Sequence, residues 1–373
     1  MIRSVTELSD IKGMRVLLRA GLNVPIENGV VEDPLRLECA LKTISFLLAR
    51  GARVILAGHM SDSTSSLQPV YEYLRHKIPL TFVDDVAGVA AHQAANALED
   101  GHALLLQNIR RNSGEEADQM QFAQDLASLA DIFVADDFTV AHRKHAAVVL
   151  VPTLLPSYAG IQFFEEMQGL APALNPESPS LAIIGGAKLI TKITLLHSLL
   201  KKYDYIFVGG ALANDFYTAK GYEVGNSLVS GANTTEGLLT NSKILLPEIV
   251  TVSNAGEREE KLATQVLKGE IISDIAPASI ALLRPLVEKS RTILWNGPMG
   301  HFETGFTQGT DAVAQLVAGS SAKTIVGGGD TLASIQNLGL MDKFTFVSTA
   351  GGAMLGFLAA GTLPGIEALE ASK

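Results

Sequence analysis

Cationic and amide side chains recur where short apolar runs end in the first half of the chain. Arg19 and Asn23 follow the first run, His59 follows the second, and Asn108 and Arg110 follow a later one. Further members are Arg36, which opens a helical pattern, and His142, Arg143 and His145. A single arginine is most often a surface residue, but its planar guanidinium suits carboxylate and phosphate groups. The repetition in an acidic protein predicts a pocket for a small anion.

Glycine-rich turns occupy the corresponding positions of the second half. They lie at residues 185–187, 209–211, 297–300, 327–329 and 351–352, each between an apolar run and a helical pattern. Glycine lets the backbone approach a ligand closely, and the free N–H groups at a helix start attract phosphate. One such turn is often only a tight connection, whereas several together predict a nucleotide site.

Lys188 and Lys192 lie one helical turn apart near the start of a helix. The apolar stripe of that helix consists of Leu189, Ile193, Leu196 and Leu200. The two lysines therefore fall on another face, where they repel each other and oppose the helix dipole. This arrangement favours a bound anion such as a nucleotide phosphate, with two solvated lysines as the alternative.

Asp330 follows the glycine turn at residues 327–329. It is interpreted either as a plain helix N-cap or as the carboxylate that positions Mg²⁺ on a nucleotide. The spacing alone does not favour one over the other.

The sequence motifs of several other classes of protein are absent from the chain. The chain has no Gly-x-x-x-x-Gly-Lys-Ser/Thr loop, which excludes a P-loop enzyme. It has no complete Gly-x-Gly-x-x-Gly followed by an acidic strand end, which weakens a dehydrogenase interpretation. No His, Cys and carboxylate set has the spacing of a zinc site.

Length and composition predict two packed domains. The 373 residues are 47% hydrophobic and 18% charged, and the net charge is −10. That charge argues against nucleic acid as a partner but permits a small anion. The single cysteine, Cys39, excludes an intrachain disulfide. No signal peptide and no run of about 20 apolar residues is found, so a cytoplasmic enzyme without a membrane partner is expected.

Apolar runs that alternate with helical patterns predict parallel α/β sheets. The predicted strands of the first half are Val16–Arg19, Arg53–Ala57, Leu80–Val83, Ala103–Gln107 and Ile132–Ala135. Those of the second half are Leu181–Ile184, Tyr205–Val208, Thr292–Trp295, Thr324–Val326 and Phe344–Ser348. Helices are predicted over Leu35–Arg50 and Ser157–Gly169. The proline-rich stretch 172–179 then predicts a linker and the domain break.

Seven segments resemble those of the phosphoglycerate kinase family, in the same order and at fitting spacing. They read RAGLNVP (19–25), QNIRRNSGEE (107–116), ADDFTVAHRKH (135–145), IIGGAKLITK (183–192), WNGPMGHFE (295–303), VGGGDT (326–331) and VSTAGGA (347–353). The resemblance implies two Rossmann-like, three-layer α/β lobes with parallel sheets, joined by an interdomain helix and hinge. The lobes would be residues 1–170 for 3-phosphoglycerate and 171–350 for the nucleotide, and residues 351–373 would return to the first lobe.

The resemblance also implies a glycolytic reaction, reversible phosphoryl transfer between 1,3-bisphosphoglycerate and ADP that gives 3-phosphoglycerate and ATP. Mg²⁺ would accompany the nucleotide, and the enzyme would be a monomer. The implied catalytic residues are Arg36, Lys188, Gly328 and Gly351. The implied substrate ligands are Asn23, Arg36, His59, Arg110 and Arg143. The implied nucleotide ligands are Lys192, Gly209, Gly210, Asn296, Glu303, Gly327, Gly328, Gly329, Asp330 (which would also serve the magnesium) and Thr331.

Two substrate positions depart from the family pattern. Gly21 stands where the family has an aspartate that would accept a substrate hydroxyl, and Asp62 stands where the family has an arginine. Exchanging a cation for an acid should weaken phosphate binding. Three functions stay open: an active phosphoglycerate kinase with a rewired pocket, a relative that phosphorylates another small acid, and a nucleotide-binding protein without turnover. A dehydrogenase is a remote fourth.

Overall fold

The chain forms two compact units. The computed structural model describes residues 2–187, 189–231, 237–239, 241–254 and 256–372. One unit comprises Met1–Met167 together with Thr362–Lys373, and the other comprises Gln168–Gly361. Residues 351–361, which we expected to return to the first lobe, belong to the second unit, because the helix they form packs there and accepts a hydrogen bond from Ser198 Oγ at Leu358 O (3.3 Å).

The first unit is built on a six-stranded, wholly parallel sheet. The strands of the unit in chain order are β1 (Arg15–Arg19), β2 (Ile26–Glu27), β3 (Val30–Val31), β4 (Arg53–Ala57), β5 (Leu80–Phe82), β6 (Ala103–Leu105), β7 (Ile132–Ala135) and β8 (Ser157–Ala159). Strands β2 and β3 form a separate short antiparallel hairpin. The order across the sheet is β5-β6-β4-β1-β7-β8. The central strand β1 is therefore paired on both sides, and its carboxyl end lies beside those of β4 and β7.

Helices cover both faces of this sheet. They are α1 (Leu35–Leu48), α2 (Gln68–Leu74), α3 (Val89–Ala97), α4 (Met120–Ala127), α5 (Val151–Leu154) and α6 (Ile161–Leu174), which contains the boundary between the units. In α1 the apolar residues Leu37, Ala40 and Ile44 recur at helical spacing and are fully buried against the sheet. Two apolar clusters, one on each face, form the core of the unit.

The second unit repeats this plan and adds a small antiparallel sheet. Its strands are β9 (Ser180–Ile184), β10 (Tyr205–Val208), β11 (Ile244–Leu245), β12 (Ile249–Asn254), β13 (Glu257–Leu262), β14 (Ile271–Ile275), β15 (Thr292–Asn296), β16 (Lys323–Gly327) and β17 (Phe346–Ser348). The parallel sheet has the order β11-β10-β9-β15-β16-β17, and the antiparallel sheet has the order β13-β12-β14. The helices are α7 (Leu189–Lys202), α8 (Leu212–Ala219), α9 (Pro277–Lys289), α10 (Gln308–Ala318), α11 (Gly329–Asn337) and α12 (Gly352–Ala360).

All ten predicted strands are present, with ends within two residues of those expected. The helix predicted over Ser157–Gly169 is wrong at its start, because residues 157–159 pair with β7 as the edge strand β8. Helix α6 begins instead at Ile161, where Asp136 Oδ1 accepts from the backbone N–H of Gln162 (2.9 Å) and Phe163 (3.3 Å). It continues through Pro172, which forfeits only one hydrogen bond two residues before the helix ends.

The last helix, α13 (Pro364–Ala371), belongs to the first unit. Its Gly365 N–H donates to Ala141 O (2.9 Å), and Arg3 donates to Ser372 Oγ (3.4 Å). Among the described residues, no single helix is long and apolar enough to cross a membrane; α12 and α13 pass that test only when taken as one broken span.

Candidate functional site

The carboxyl edge of the first sheet gathers the predicted anion-binding residues. Arg36 Nη1 donates to Asn23 O (2.9 Å), and the Ser61 hydroxyl donates to Asn23 Oδ1 (3.1 Å). Arg110 Nη1 donates to Met60 O (3.2 Å), which holds the guanidinium against the loop after β4. Parallel strands bring these loops to one edge, so residues distant in sequence share one surface.

Arg143 and His145 join this edge from the loop after β7. Arg143 is exposed and His145 is half-buried. Burial, followed by the positive charge of Arg110, lowers the pKa of His145 to about 4. Burial likewise lowers the pKa of Arg110, and the charges of Arg19 and Arg143 add to that effect. Arg19, Arg110 and Arg143 thus concentrate positive charge at this edge in a chain of net charge −10, and Arg110 Nε also pairs with Glu116 Oε1 (3.1 Å).

Three buried side chains form an ion network beneath this edge. Arg19 Nη1 lies 3.2 Å from Asp137 Oδ2, and Arg19 Nη2 lies 2.9 Å from Nδ1 of His59. Burial, and then the charge of Arg19, lowers the pKa of His59 far below its usual range, so the ring is neutral. Sequence reasoning found Arg19 and His59 but missed Asp137, because no local pattern links loops 118 residues apart.

Asp62 organises its own loop and is exposed. Its Oδ1 accepts from Thr64 N–H (2.8 Å) and Ser65 N–H (2.8 Å), and its Oδ2 accepts from the Ser65 hydroxyl (2.6 Å). These donors hold the pKa of Asp62 well below its usual range. Asn108 Nδ2 donates to Asp62 O (2.8 Å) and so ties the loop to the site. The residue therefore has a structural function where the family pattern has a cation.

The glycine turns of the second unit pack backbone against backbone. Gly186 N–H donates to Pro298 O (2.8 Å), and Leu212 N–H donates to Gly186 O (2.9 Å). A Cβ at Gly210 would lie 2.7 Å from both Gly186 N and Pro298 O, and its φ is +61°. Glycine is required there because no side chain fits between the turns. The turns after β9, β10 and β15 thus form one connected floor.

Asn296 and Thr331 hold this floor together. Asn296 Nδ2 donates to Gly327 O (2.9 Å), and the Thr331 hydroxyl oxygen accepts from Gly297 N–H (3.1 Å). Both side chains are buried. Asn296, which the family resemblance implied would line the nucleotide pocket, is thus buried in the floor of the turns.

Lys192 is buried, not solvated. It exposes 7% of its surface, and its Nζ donates to Gly185 O (2.5 Å) beneath the first glycine turn. Burial lowers its pKa to about 8. Lys188, the other predicted phosphate-binding cation, lies outside the described residues. An ammonium this deeply buried is costly without an anionic partner.

A cavity of about 570 Å³ opens beside these turns. Gly186, Gly210, Glu303 and Asp330 are among its lining residues. Its other wall comes from Tyr217, Val250 and residues 271–275, which no sequence pattern indicated. Gly209, Lys192, Gly327, Gly328, Gly329 and Gly351 do not line it; they lie in or beside the adjoining turns.

Asp330 is one of three carboxylates that line this cavity, with Asp274 and Glu303. It is the second residue of α11, and Gly328 is the N-cap, so the plain N-cap interpretation is wrong. In the described part of the chain, no group of three or more His, Cys, Asp or Glu could hold a metal. A single carboxylate fits Mg²⁺, which takes most of its remaining ligands from substrate phosphates and water.

The fold and the two edges define a class. Each unit is an open parallel α/β sheet with ligand groups at its carboxyl edge, one set cationic and the other rich in glycine turns. Such a two-domain α/β protein is suited to a small anion on one unit and a phosphate-bearing ligand on the other.

Comparison with known proteins specifies the family. A family model described as phosphoglycerate kinase matches residues 5–361. A phosphoglycerate kinase of Methylorubrum populi is 40% identical over 99% of this chain and 98% of its own length. A phosphoglycerate kinase structure from Coxiella burnetii is 36% identical and superposes with a TM-score of 0.86 over 100% of both chains. A phosphoglycerate kinase structure from Pyrococcus horikoshii is 29% identical and also has a TM-score of 0.86, over 99% of this chain and 98% of its own. The chain belongs to the phosphoglycerate kinase family, which confirms the fold class and family predicted from sequence.

Proposed function

We propose that the chain transfers a phosphoryl group reversibly between 1,3-bisphosphoglycerate and ADP, giving 3-phosphoglycerate and ATP in glycolysis. Family membership and the phosphotransferase activity that it carries support this assignment. The observation that carries it in the structure is Lys192, an ammonium buried beneath the glycine turns whose Nζ donates to the neutral acceptor Gly185 O. A phosphate-bearing ligand would supply the missing negative charge.

The cationic edge of the first unit would bind the acid. Asn23, Arg36, His59, Arg110 and Arg143 would contact the 3-phosphoglycerate. Arg36 would also face the transferred phosphoryl group. Guanidinium groups bind carboxylate and phosphate through paired hydrogen bonds, which fixes orientation as well as charge.

The glycine turns of the second unit would bind the nucleotide. Lys192 and the backbone N–H groups of Gly328 and Gly329 would contact the phosphates. Gly209 and Gly210 would line the pocket beside them. Asn296 and Thr331 would act by holding those turns in place, since both are buried in hydrogen bonds to them. Glu303, which is exposed at the cavity, would bind the ribose.

The transfer step needs little acid–base chemistry. The acceptor carboxylate is ionised at neutral pH, so it can attack the terminal phosphoryl group without a general base. Rate enhancement would come from positioning and from charge stabilisation by Arg36, Lys188 and the N–H groups of Gly328 and Gly351.

Magnesium would be held by Asp330 together with the nucleotide phosphates. When bound, the ion neutralises charge on the phosphates during transfer. Replacing Asp330 by asparagine should weaken ADP binding measured calorimetrically with Mg²⁺ present and leave the Mg²⁺-free affinity nearly unchanged. We further propose a monomer in the cytoplasm, without nucleic acid or membrane as partner.

The decisive experiment measures ATP formation from ADP and 1,3-bisphosphoglycerate by the purified chain. Lys188→Ala should nearly abolish it, whereas Lys201→Ala, a change of an exposed lysine at the end of α7, should leave it intact. Activity no higher than that of the Lys188→Ala variant, with ADP binding retained, would reject the proposed reaction.

Asp62 favours one alternative, a family member that phosphorylates a different small acid. Asp62→Arg should lower the KM for 3-phosphoglycerate if the phosphate lies near this loop. Asp62→Asn is the matched control, because it removes the charge while keeping an oxygen for the Thr64 and Ser65 donors. If Asp62→Arg raises that KM, another group already holds the phosphate.

A further inference from the structure

Gly21 and Asp137 lie side by side at the carboxyl edge of the first sheet. A Cβ at residue 21 would lie 3.4 Å from Asp137 Oδ1 and 3.6 Å from its Cγ. Asp137 comes from the loop after β7, and Gly21 comes from the loop after β1. The carboxylate of Asp137 therefore occupies the room next to residue 21, and a second carboxylate placed there would repel it.

Both oxygens of Asp137 are engaged. Oδ1 accepts from the Thr139 hydroxyl (2.5 Å) and the Thr139 N–H (3.2 Å), and Oδ2 accepts from Arg19 Nη1 (3.2 Å). The side chains of Arg19 and Asp137 expose 3% and 0% of their surfaces. Each is thus the charge partner of the other away from water, and loss of the carboxylate would free the guanidinium to turn.

Arg19 transmits this constraint to His59. Its Nη2 lies 2.9 Å from Nδ1 of His59, and a guanidinium can only donate. Nδ1 must therefore accept, and the neutral ring carries its proton on Nε2. After burial and the charge of Arg19, the positive charges of Arg110 and Arg36 also help to keep the ring neutral. His59 is thereby prepared as a hydrogen-bond donor for an anionic oxygen.

We infer that Asp137 is a positioning residue for the acid substrate, acting through Arg19 to fix the Nε2–H donor of His59. The chain keeps one carboxylate at this place, supplied by the β7 loop instead of residue 21. Because its side chain is fully buried and both of its oxygens are engaged, Asp137 would act through Arg19 and not by contact with the substrate. The inference rests on the proposed function, because the acid substrate is the ligand that His59 would bind.

Reciprocal exchange of the carboxylate tests this role. Asp137→Ala should raise the KM for 3-phosphoglycerate about tenfold or more, the worth of one charged hydrogen bond, and leave the KM for ATP within about twofold. Gly21→Asp alone should also raise the KM for 3-phosphoglycerate, because the new carboxylate would repel that of Asp137. The double variant Gly21→Asp/Asp137→Ala should return the KM to within about threefold of wild type.

A matched control exists at the opposite edge of the same strands. Arg15 and Asp131 form an ion pair of 2.9 Å at the start of β1 and just before β7, with side chains 29% and 42% exposed. Asp131→Ala should change neither KM.

An unchanged KM in folded Asp137→Ala overturns the inference, and so does a raised KM that the double variant fails to recover. If Asp137→Ala does not fold, the double variant decides: a KM near that of wild type supports the inference, and a misfolded or impaired double variant overturns it.

Failure of the proposed function is recognised separately, as absence of turnover in the wild type. Nitrogen-15 NMR of the His59 ring needs no turnover and still decides. A proton on Nε2 and none on Nδ1 in the wild type, together with a mixture of tautomers in Asp137→Asn, supports the inference. A proton on Nδ1 in the wild type, or an unaltered tautomer in Asp137→Asn, overturns it.

Discussion

Replacing Lys192 by methionine should stabilise the second unit and weaken nucleotide binding at the same time. Lys192 exposes 7% of its surface, and burial lowers its pKa. Its Nζ is held by one neutral acceptor, Gly185 O. Methionine keeps the long flexible stem and removes the charge, so the two effects of the ammonium can be measured separately.

The size of the expected stabilisation follows from the pKa of Lys192. Burial lowers the pKa of Lys192 from 10.5 to about 8, and each unit corresponds to about 1.4 kcal/mol. The buried charge therefore costs about 3 kcal/mol at neutral pH. Loss of the hydrogen bond to Gly185 returns about 1 kcal/mol of that. The expected net gain in the free energy of unfolding is about 2 kcal/mol.

The same shift predicts a pH dependence with a definite sign. Because the folded pKa lies below the unfolded value, the folded state holds this proton less tightly. The destabilisation is complete below about pH 8 and disappears as the pH rises towards 10.5. The stability difference between the variant and the wild type should therefore shrink over that interval.

Urea denaturation followed by tryptophan fluorescence measures the first effect. Trp295 is the only tryptophan in the chain, and it is fully buried in the second unit. Calorimetric titration with ADP measures the second, with an expected loss of about 10- to 100-fold in affinity. Lys201→Met, in the exposed last turn of α7, is the control and should change either quantity only slightly.

One result would refute this reasoning. A Lys192→Met variant that is less stable than the wild type and binds ADP equally well would mean that the ammonium holds the glycine turn together. The residue would then be structural, and the phosphate-binding interpretation of its burial would fail.

Two further perturbations address the backbone and a buried acid of the second unit. Gly210→Ala places a Cβ 2.7 Å from backbone atoms of Gly186 and Pro298 and should lower the free energy of unfolding, followed by Trp295 fluorescence, by about 2–4 kcal/mol. Gly221→Ala is the control: its φ is +80° with no atom within 4 Å, so the loss should be only about 1 kcal/mol. Equal losses in the two variants would contradict the steric argument. Burial raises the pKa of Asp274 from 3.8 to about 6, so the folded state binds the proton of this carboxyl more tightly than the unfolded state does. The free energy of unfolding should therefore fall by about 3 kcal/mol as the pH rises from about 4 to about 6. Urea midpoints across that interval should vary less in Asp274→Asn, and an equal slope would assign the pH effect to other groups.

The strands of the two parallel sheets were predictable from sequence because most of them lie in the interior of their units. Strands such as β1, β4 and β9 are buried on both faces, and strands buried in this way read as continuous apolar runs. The alternation of these runs with helical patterns then defined the fold class. The edge position of each ligand group followed from parallel topology alone.

The missed strands lack that signal. Strand β13 reads EREEKL and is almost wholly exposed, so it shows neither an apolar run nor alternation. Strand β8 has only three residues and gains its conformation by pairing with β7. Their structure comes from partners that are distant in sequence, which local periodicity does not report.

The same limit applies within the candidate site. Helical spacing put Lys192 off the buried stripe of α7, and that prediction is wrong, because Lys192 is buried between Leu189 and Leu196. The glycine turn covers the start of α7, and Lys192 Nζ donates to Gly185 O beneath it. Likewise, Asn296 and Asp137 acquire their contacts from other loops. Residue type and strand-end position predicted which groups gather at the site, whereas only the packing of loops shows which are buried.

The discontinuity of the first unit has a consequence for folding. Its last helix, α13, comes after the whole of the second unit in the chain, so completing the first unit requires closure of a loop that spans residues 168–361. The entropy lost on closing a loop grows with the length of flexible chain within it. Once the contiguous second unit has folded, that intervening chain is no longer flexible, and less chain entropy is lost when α13 docks. Folding of the second unit therefore promotes docking of α13, which couples the two units through chain connectivity.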